Sequence, residues 1–167
     1  MTDRIKVKSK INNILGICCY HLLPIKQEYY TGKGKIIGIC TLSSLDLLKE
    51  IKNNQEIMDK VSIVGRLLSE NKGIDEIIKF TKNNKSLKYI LLCGEEVKGH
   101  LPGQTLIALK KNGIDQKKKV INSAAAYPFL ACTNHEIEYF RHQINIIEKI
   151  GLKDIDKIRD TIYDIYV

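Results

Sequence analysis

A mostly parallel α/β sheet is the fold class that this sequence predicts, and two observations carry that reading. Short apolar runs of strand length, Ile36-Ile-Gly-Ile-Cys-Thr41 and Tyr89-Ile-Leu-Leu92, alternate with segments of helical spacing. The second run also leads straight into a glycine-rich loop, Cys93-Gly-Glu-Glu-Val-Lys-Gly-His100, at the place where an open α/β sheet puts its ligand site.

The elements follow in order. Residues 1–24 read as a basic arm, with Arg4, Lys6, Lys8 and Lys10, followed by a short amphipathic or buried helix that Pro24 ends. They form an N-terminal extension, and residues 25–167 form the α/β domain. After a polar turn around Tyr30 to Lys35, Ile36 to Thr41 is the first strand. Ser43 and Ser44 can cap a helix from Leu45 to Ile51, and Asp46 suits its positive end. Val61 to Leu68 is a strand candidate, although Asp59 onward can also be partly helical. Ile74, Ile77 and Ile78 mark a helix over Gly73 to Phe80, and Leu87 to Cys93 is the clearest strand. A helix from Gly103 ends at Asn112-Gly113. Val120-Ile121 begins a final short strand, Asn134 caps a helix running to Gly151, and a last amphipathic helix covers Asp154 to Tyr163.

A chain of 167 residues fits one core. Its net charge of +8 raises the question of nucleic acid, but the lysines are scattered. The eight Tyr and three Phe form no RNA-binding signature, which argues against dedicated nucleic-acid recognition. The five cysteines, at 18, 19, 40, 93 and 132, contain no C-x-x-C pair and read as thiols of a reducing compartment. No run is long and apolar enough for a membrane span, and no signal-peptide cleavage site follows the basic start. A cytoplasmic location is the expectation.

His100 is the residue to which chemistry points first. An imidazole suits late first-row transition metals, whereas a nucleotide phosphate is more usually met by backbone N–H groups at a helix start. Gly94, Gly99 and Gly103 allow close approach, and Pro102 restricts the chain beyond the ring. A metal-bound imidazole needs its other nitrogen oriented, a role open to Glu95, Glu96 or a backbone carbonyl. His21, His135 and His142 lie far away in sequence, the last two at surface-helix spacing. A lone protein ligand suits a metal whose other positions are filled by a preformed ring, as in a haem or a corrinoid.

The run Ile90-Leu-Leu-Cys-Gly-Glu-Glu-Val-Lys-Gly-His-Leu-Pro-Gly-Gln-Thr-Leu106 closely resembles the corrinoid-carrying component of the archaeal tetrahydromethanopterin S-methyltransferase, its A subunit. The similarity runs from about Tyr29 to Gly151, through Cys40-Thr-Leu-Ser-Ser44, Ser69-Glu-Asn71 with Gly73-Ile74, Asn112-Gly-Ile-Asp115 and Tyr139-Phe-Arg-His-Gln-Ile144. The resemblance implies a Rossmann-like three-layer domain with a mostly parallel central sheet that binds a cobamide, a vitamin-B12-type corrinoid, with His100 as the axial ligand to cobalt. It further implies a methyl group carried between methyl-tetrahydromethanopterin and coenzyme M or a related acceptor. The chain would then be one component of a methyltransferase rather than a complete enzyme, docked with partner subunits of a membrane complex.

Further cofactor contacts are implied at several loops. Thr41, Leu42 and Ser43 can share the sheet edge of His100, or serve only to cap a helix. Ser69, Glu70, Asn71 and Gly73 can meet the ring or its amides, or form a structural cap. Gly94, Glu95, Gly99, Leu101 and Gly103 surround the histidine, and Gln104 and Thr105 can bond amide side groups or start a helix. Ala124, Ala125, Ala126, Tyr127 and Pro128 would make an apolar wall, or pack the core. Two departures stand out. The family pattern is glycine-rich before an Ile-Pro pair where this chain has Asn122-Ser-Ala-Ala-Ala-Tyr-Pro128, and the chain ends at Val167 before the membrane anchor of full-length members. Either a soluble paralogue or a chain whose C-terminal anchor has been removed would end there; a paralogue that only binds corrinoid is one alternative function, and a basic scaffold or nucleic-acid-associated protein is another. A nucleotide-binding protein fits less well, since residues 94–99 match neither a P-loop nor a G-x-G-x-x-G fingerprint.

Overall fold

The computed structural model describes residues 28–166. The expected extension over 1–24, with Cys18, Cys19 and His21, lies outside the described residues. Five strands, β1 (Tyr29–Thr31), β2 (Ile37–Cys40), β3 (Ile63–Gly65), β4 (Tyr89–Leu92) and β5 (Asn145–Glu148), form one sheet in the order β1-β3-β2-β4-β5. β3, β2, β4 and β5 are parallel neighbours, while the edge strand β1 runs antiparallel to β3. This is the three-layer, mostly parallel α/β domain that the strand and helix alternation predicts.

Helices α1 (Leu45–Asn53), α2 (Gln55–Lys60) and α6 (Ile155–Ile165) cover one face, where Leu48, Ile51, Ile57, Ile158 and Ile162 pack on Ile37, Ile39, Val64 and Leu91. Helices α3 (Lys72–Asn83), α4 (Pro102–Asn112) and α5 (Asn134–Gln143) cover the other, with Ile74, Ile78, Leu106, Ile137 and Phe140 against Ile90 and Leu92. Successive residues of β4 therefore feed opposite cores, which is why its sequence is continuously apolar rather than alternating. Each such fully buried aliphatic side chain contributes roughly 1.5–3 kcal/mol.

Four expectations need correction. The helix predicted from Asn134 to Gly151 stops at Gln143, and Asn145 to Glu148 form β5 alongside β4. The isoleucines at 144, 146 and 147 satisfy helical and strand spacing alike, and the open side of β4 decides between them. Thr133, not Asn134, is the cap of α5. Val120-Ile121 joins no sheet; Val120 makes an isolated bridge to Ile114. Tyr30 and Thr31, expected as the start of a polar turn, belong with Tyr29 to the antiparallel edge strand. The strand candidate over Val61 to Leu68 narrows to β3.

Thr133 and Glu136 form a reciprocal capping box at the start of α5. The Thr133 backbone N–H, with Lys82 and the Thr133 hydroxyl, pulls the Glu136 carboxyl down to about 2 from an ordinary value of 4.5. A depressed carboxyl stabilises the fold above its unfolded value and loses that contribution as pH falls through its folded one. Urea midpoints measured from pH 4.5 down to 2 are expected to fall more steeply for the native chain than for Glu136→Gln.

Candidate functional site

β2 lies between β3 and β4: from β2 the chain passes through α1 and α2 across one face to β3, and from β3 it crosses back over β2 through α3 on the other face to reach β4. The loops that follow β2 and β4 consequently flank the crevice at the carboxyl ends of the strands. These are the loops carrying Thr41 to Ser44 and Gly94 to Leu101.

The two loops are stapled together. The Cys93 N–H donates to the Cys40 carbonyl at 2.9 Å, and the Ser43 N–H and hydroxyl both donate to the Glu95 carbonyl, at 3.0 and 2.7 Å. The Glu95 N–H returns a bond to the Ser44 hydroxyl at 2.9 Å. Gly94, at φ +73°, makes this approach possible, because a Cβ there would lie 2.3 Å from the Thr41 carbonyl oxygen. Arg66 Nη2 braces the same turn by donating to the Ser43 carbonyl at 3.0 Å.

Further along, Glu96 supplies what Leu101, the left-handed residue before α4, cannot. Its carboxylate accepts the N–H groups of Val97, Gly103 and Gln104 at 3.0, 3.2 and 2.8 Å, capping the helix from outside it. Glu95 pairs with Lys153 at 2.6 Å, which holds its carboxyl below the ordinary range. Neither residue is the partner of His100.

That partner is Glu70. His100 Nδ1 lies 2.8 Å from Glu70 Oε2, and Glu70 is 1% exposed while the imidazole is 31% exposed. Its other oxygen, Oε1, accepts the Tyr127 N–H at 3.0 Å, and Asn71 Nδ2 donates to the Tyr127 carbonyl at 3.1 Å. A carboxylate only accepts, so the proton of a neutral imidazole sits on Nδ1 and the lone pair on Nε2. Nε2 makes no hydrogen bond among the described residues. A carboxylate–histidine pair of this kind fixes ring orientation and tautomer, as it does where an imidazole ligates a metal.

Among the described residues no three His, Cys, Asp or Glu side chains cluster as a metal site. Desolvation pushes the Cys40 and Cys132 thiols up to about 12, so without a metal both are protonated at neutral pH. His135 and His142 are exposed on α5. A single oriented imidazole of this kind suits a metal whose other ligands travel with it.

The sequence model of the tetrahydromethanopterin S-methyltransferase A subunit matches residues 22–167. The chain belongs to that family. It is 34% identical over 143 residues to the A subunit of the putative methyltransferase Mtx of Methanosarcina acetivorans, covering 84% of this chain and 68% of the relative. It is 35% identical over 136 residues to the Methanosarcina barkeri protein of the same description, covering 80% and 64%. The tetrahydromethanopterin S-methyltransferase A subunit of Methanocaldococcus jannaschii is 34% identical over 142 residues, covering 83% of this chain and 56% of the relative. The chain thus spans about two thirds or less of the length of these family members. Among the described residues no helix is long and apolar enough to cross a membrane.

The other predicted site residues fall into two groups within this family domain. Thr41 and Leu42 are wholly buried, with the Thr41 hydroxyl lacking a hydrogen-bond partner, and Gly103 is buried against Glu96, Leu42 and Ile150. Ser69 accepts the Gly73 N–H at 2.8 Å and Asn71 accepts that of Lys72 at 2.7 Å, so both cap α3. Towards solvent lie Gly99 and Gln104, which are exposed, and Leu101, Ala125 and Ala126, which are half-buried; Pro128 is buried behind them. Thr105 bonds the Ser123 hydroxyl at 2.8 Å, joining α4 to the Ala124–Pro128 loop. Asp75, which sequence reasoning missed, fastens that loop's far end by accepting the Ala131 and Cys132 N–H groups. Its only sequence signal was an acidic residue in the first turn of a helix.

Proposed function

We propose that this domain binds a corrinoid and presents it for methyl transfer, with His100 ligating cobalt through Nε2. One observation carries the reading: Nδ1 is held by a buried carboxylate while Nε2 is free among the described residues. When bound, the corrinoid would supply the cobalt centre on which a methyl group travels. The chain's own part is to hold the ring and its tautomer through Glu70, to offer a half-buried wall at Ala125 and Ala126, and to fix the loop through Ser43, Ser44 and Glu96.

The donor and acceptor belong to the same proposal. Family membership supports methyl-tetrahydromethanopterin as donor and coenzyme M or a related thiol as acceptor, with partner subunits contributing those sites. A cytoplasmic module working beside a membrane methyltransferase complex is the arrangement we favour. The test is direct: purified protein is loaded with cobinamide, which lacks the nitrogenous lower base of cobalamin, reduced to cobalt(II) and measured by paramagnetic resonance. Nitrogen superhyperfine coupling is expected in the native chain and lost in His100→Ala. Identical spectra from both would sink the ligand assignment, and absence of any corrinoid uptake by the native chain would sink the function.

A further inference from the structure

A cavity of about 520 Å³ lies between α3 and the β1, β3 and β2 side of the sheet, away from the His100 loop. Its walls are Ile63, Ile77, Phe80 and Leu87, and its floor includes Gly38 and Gly65, which carry no side chain of their own. Tyr29 lines its mouth and is 61% exposed. The volume is that of a small-molecule site, and the lining is mainly apolar.

Charge is placed unevenly around it. Glu76 and Lys79 line the cavity and pair with each other at 2.9 Å. Arg66 also lines it and forms no ion pair among the described residues, while its Nε is buried without a hydrogen-bond partner. Among the described residues its one side-chain hydrogen bond, from Nη2 to the Ser43 carbonyl, leaves the guanidinium without a counter-charge. A buried donor of this kind is costly unless something accepts from it.

We infer that this cavity is a second ligand site, taking a small molecule with an apolar, ring-sized body and one anionic group that pairs with Arg66. Neither His100 nor Glu70 lines the cavity, and the two sites are linked through Arg66, whose Nη2 also braces the Ser43 turn. A guanidinium fits a carboxylate, sulfonate or phosphate through paired N–H groups. The apolar walls supply affinity for the body, and Arg66 supplies selection for the charge.

The probe is anilinonaphthalene sulfonate, whose fluorescence rises on binding, compared with uncharged phenyl-naphthylamine. The full chain is expected to bind both saturably at one site. Arg66→Gln is expected to weaken the sulfonate about tenfold, the scale of one charge-assisted hydrogen bond, and to leave the uncharged probe unchanged. Because the chain has no tryptophan, Tyr29→Trp places a unique donor at the mouth, and energy transfer to bound sulfonate is expected from it. Gly38→Ala adds a methyl group 3.4 Å from Ile63 and 3.6 Å from Leu87, ordinary contact distances, and is expected to weaken both probes. Equal sulfonate affinity in the native chain and Arg66→Gln, absent energy transfer, or absent saturable binding would each overturn the inference.

Discussion

Glu70→Gln is expected to leave the domain folded and to cost it roughly tenfold to a hundredfold in corrinoid affinity, the range seen when the group behind a metal-ligating histidine is lost. The substitution keeps shape and removes one acceptor. Its remaining carbonyl oxygen can still accept the Tyr127 N–H now held at 3.0 Å, which turns the new amide nitrogen towards His100. An amide nitrogen donates, so Nδ1 must become the acceptor and the imidazole proton must move to Nε2. The atom proposed to meet cobalt then carries a hydrogen. Nitrogen NMR of the histidine ring in the cofactor-free protein reads this tautomer change without any activity assay. A native chain already protonated on Nε2, or no change in Glu70→Gln, would remove the basis for the assignment.

Asp75→Ala is expected to destabilise the domain by about 3 kcal/mol, because hydrogen bonds to a charged, buried acceptor rank among the stronger ones. Asp75 is 3% exposed and accepts the N–H groups of Ala131, at 3.1 and 3.0 Å, and Cys132, at 3.0 Å. Removing the carboxylate leaves these donors facing the side of α3 with no substitute. Asp75→Asn keeps one acceptor oxygen and should lose about half as much. Urea unfolding gives the difference, and hydrogen exchange at the Cys132 amide locates it. A loss below about 1 kcal/mol for the alanine variant would mean that water already serves those groups.

The two predictions touch one loop from opposite ends, and neither contact was legible in the sequence. The His100 loop could be read because its cues are local: an apolar strand, closely spaced glycines and one imidazole. Glu70 stands 30 residues earlier in the chain. It reaches His100 only because α3 carries the chain from β3, over β2, to β4, which sets the β3–α3 and β4–α4 loops side by side. The nearer acidic residues, Glu95 and Glu96, were the natural sequence choice, and both are engaged elsewhere. Two strands escaped for similar reasons. β5 is a four-residue run whose isoleucines continue the spacing of α5, and β1 is three residues of edge strand that only their pairing with β3 defines. The central sheet was plain because β2 and β4 are buried on both faces, which leaves little room for any other reading.

The glycines of the His100 loop differ in how closely the chain packs on them. Gly94 is locked against the Thr41 carbonyl, whereas a Cβ on Gly99 would meet nothing within 4 Å. The strand end and the α4 end are moored by Ser44 and Glu96, and the turn that carries Gly99, at φ +83°, is closed by the Leu101 N–H donating to the Val97 carbonyl at 2.9 Å. Glu70 holds the Tyr127 N–H through Oε1 and faces the imidazole through Oε2, so its two contacts fall on different oxygens. The seat is built by the fold and not by the ring that occupies it.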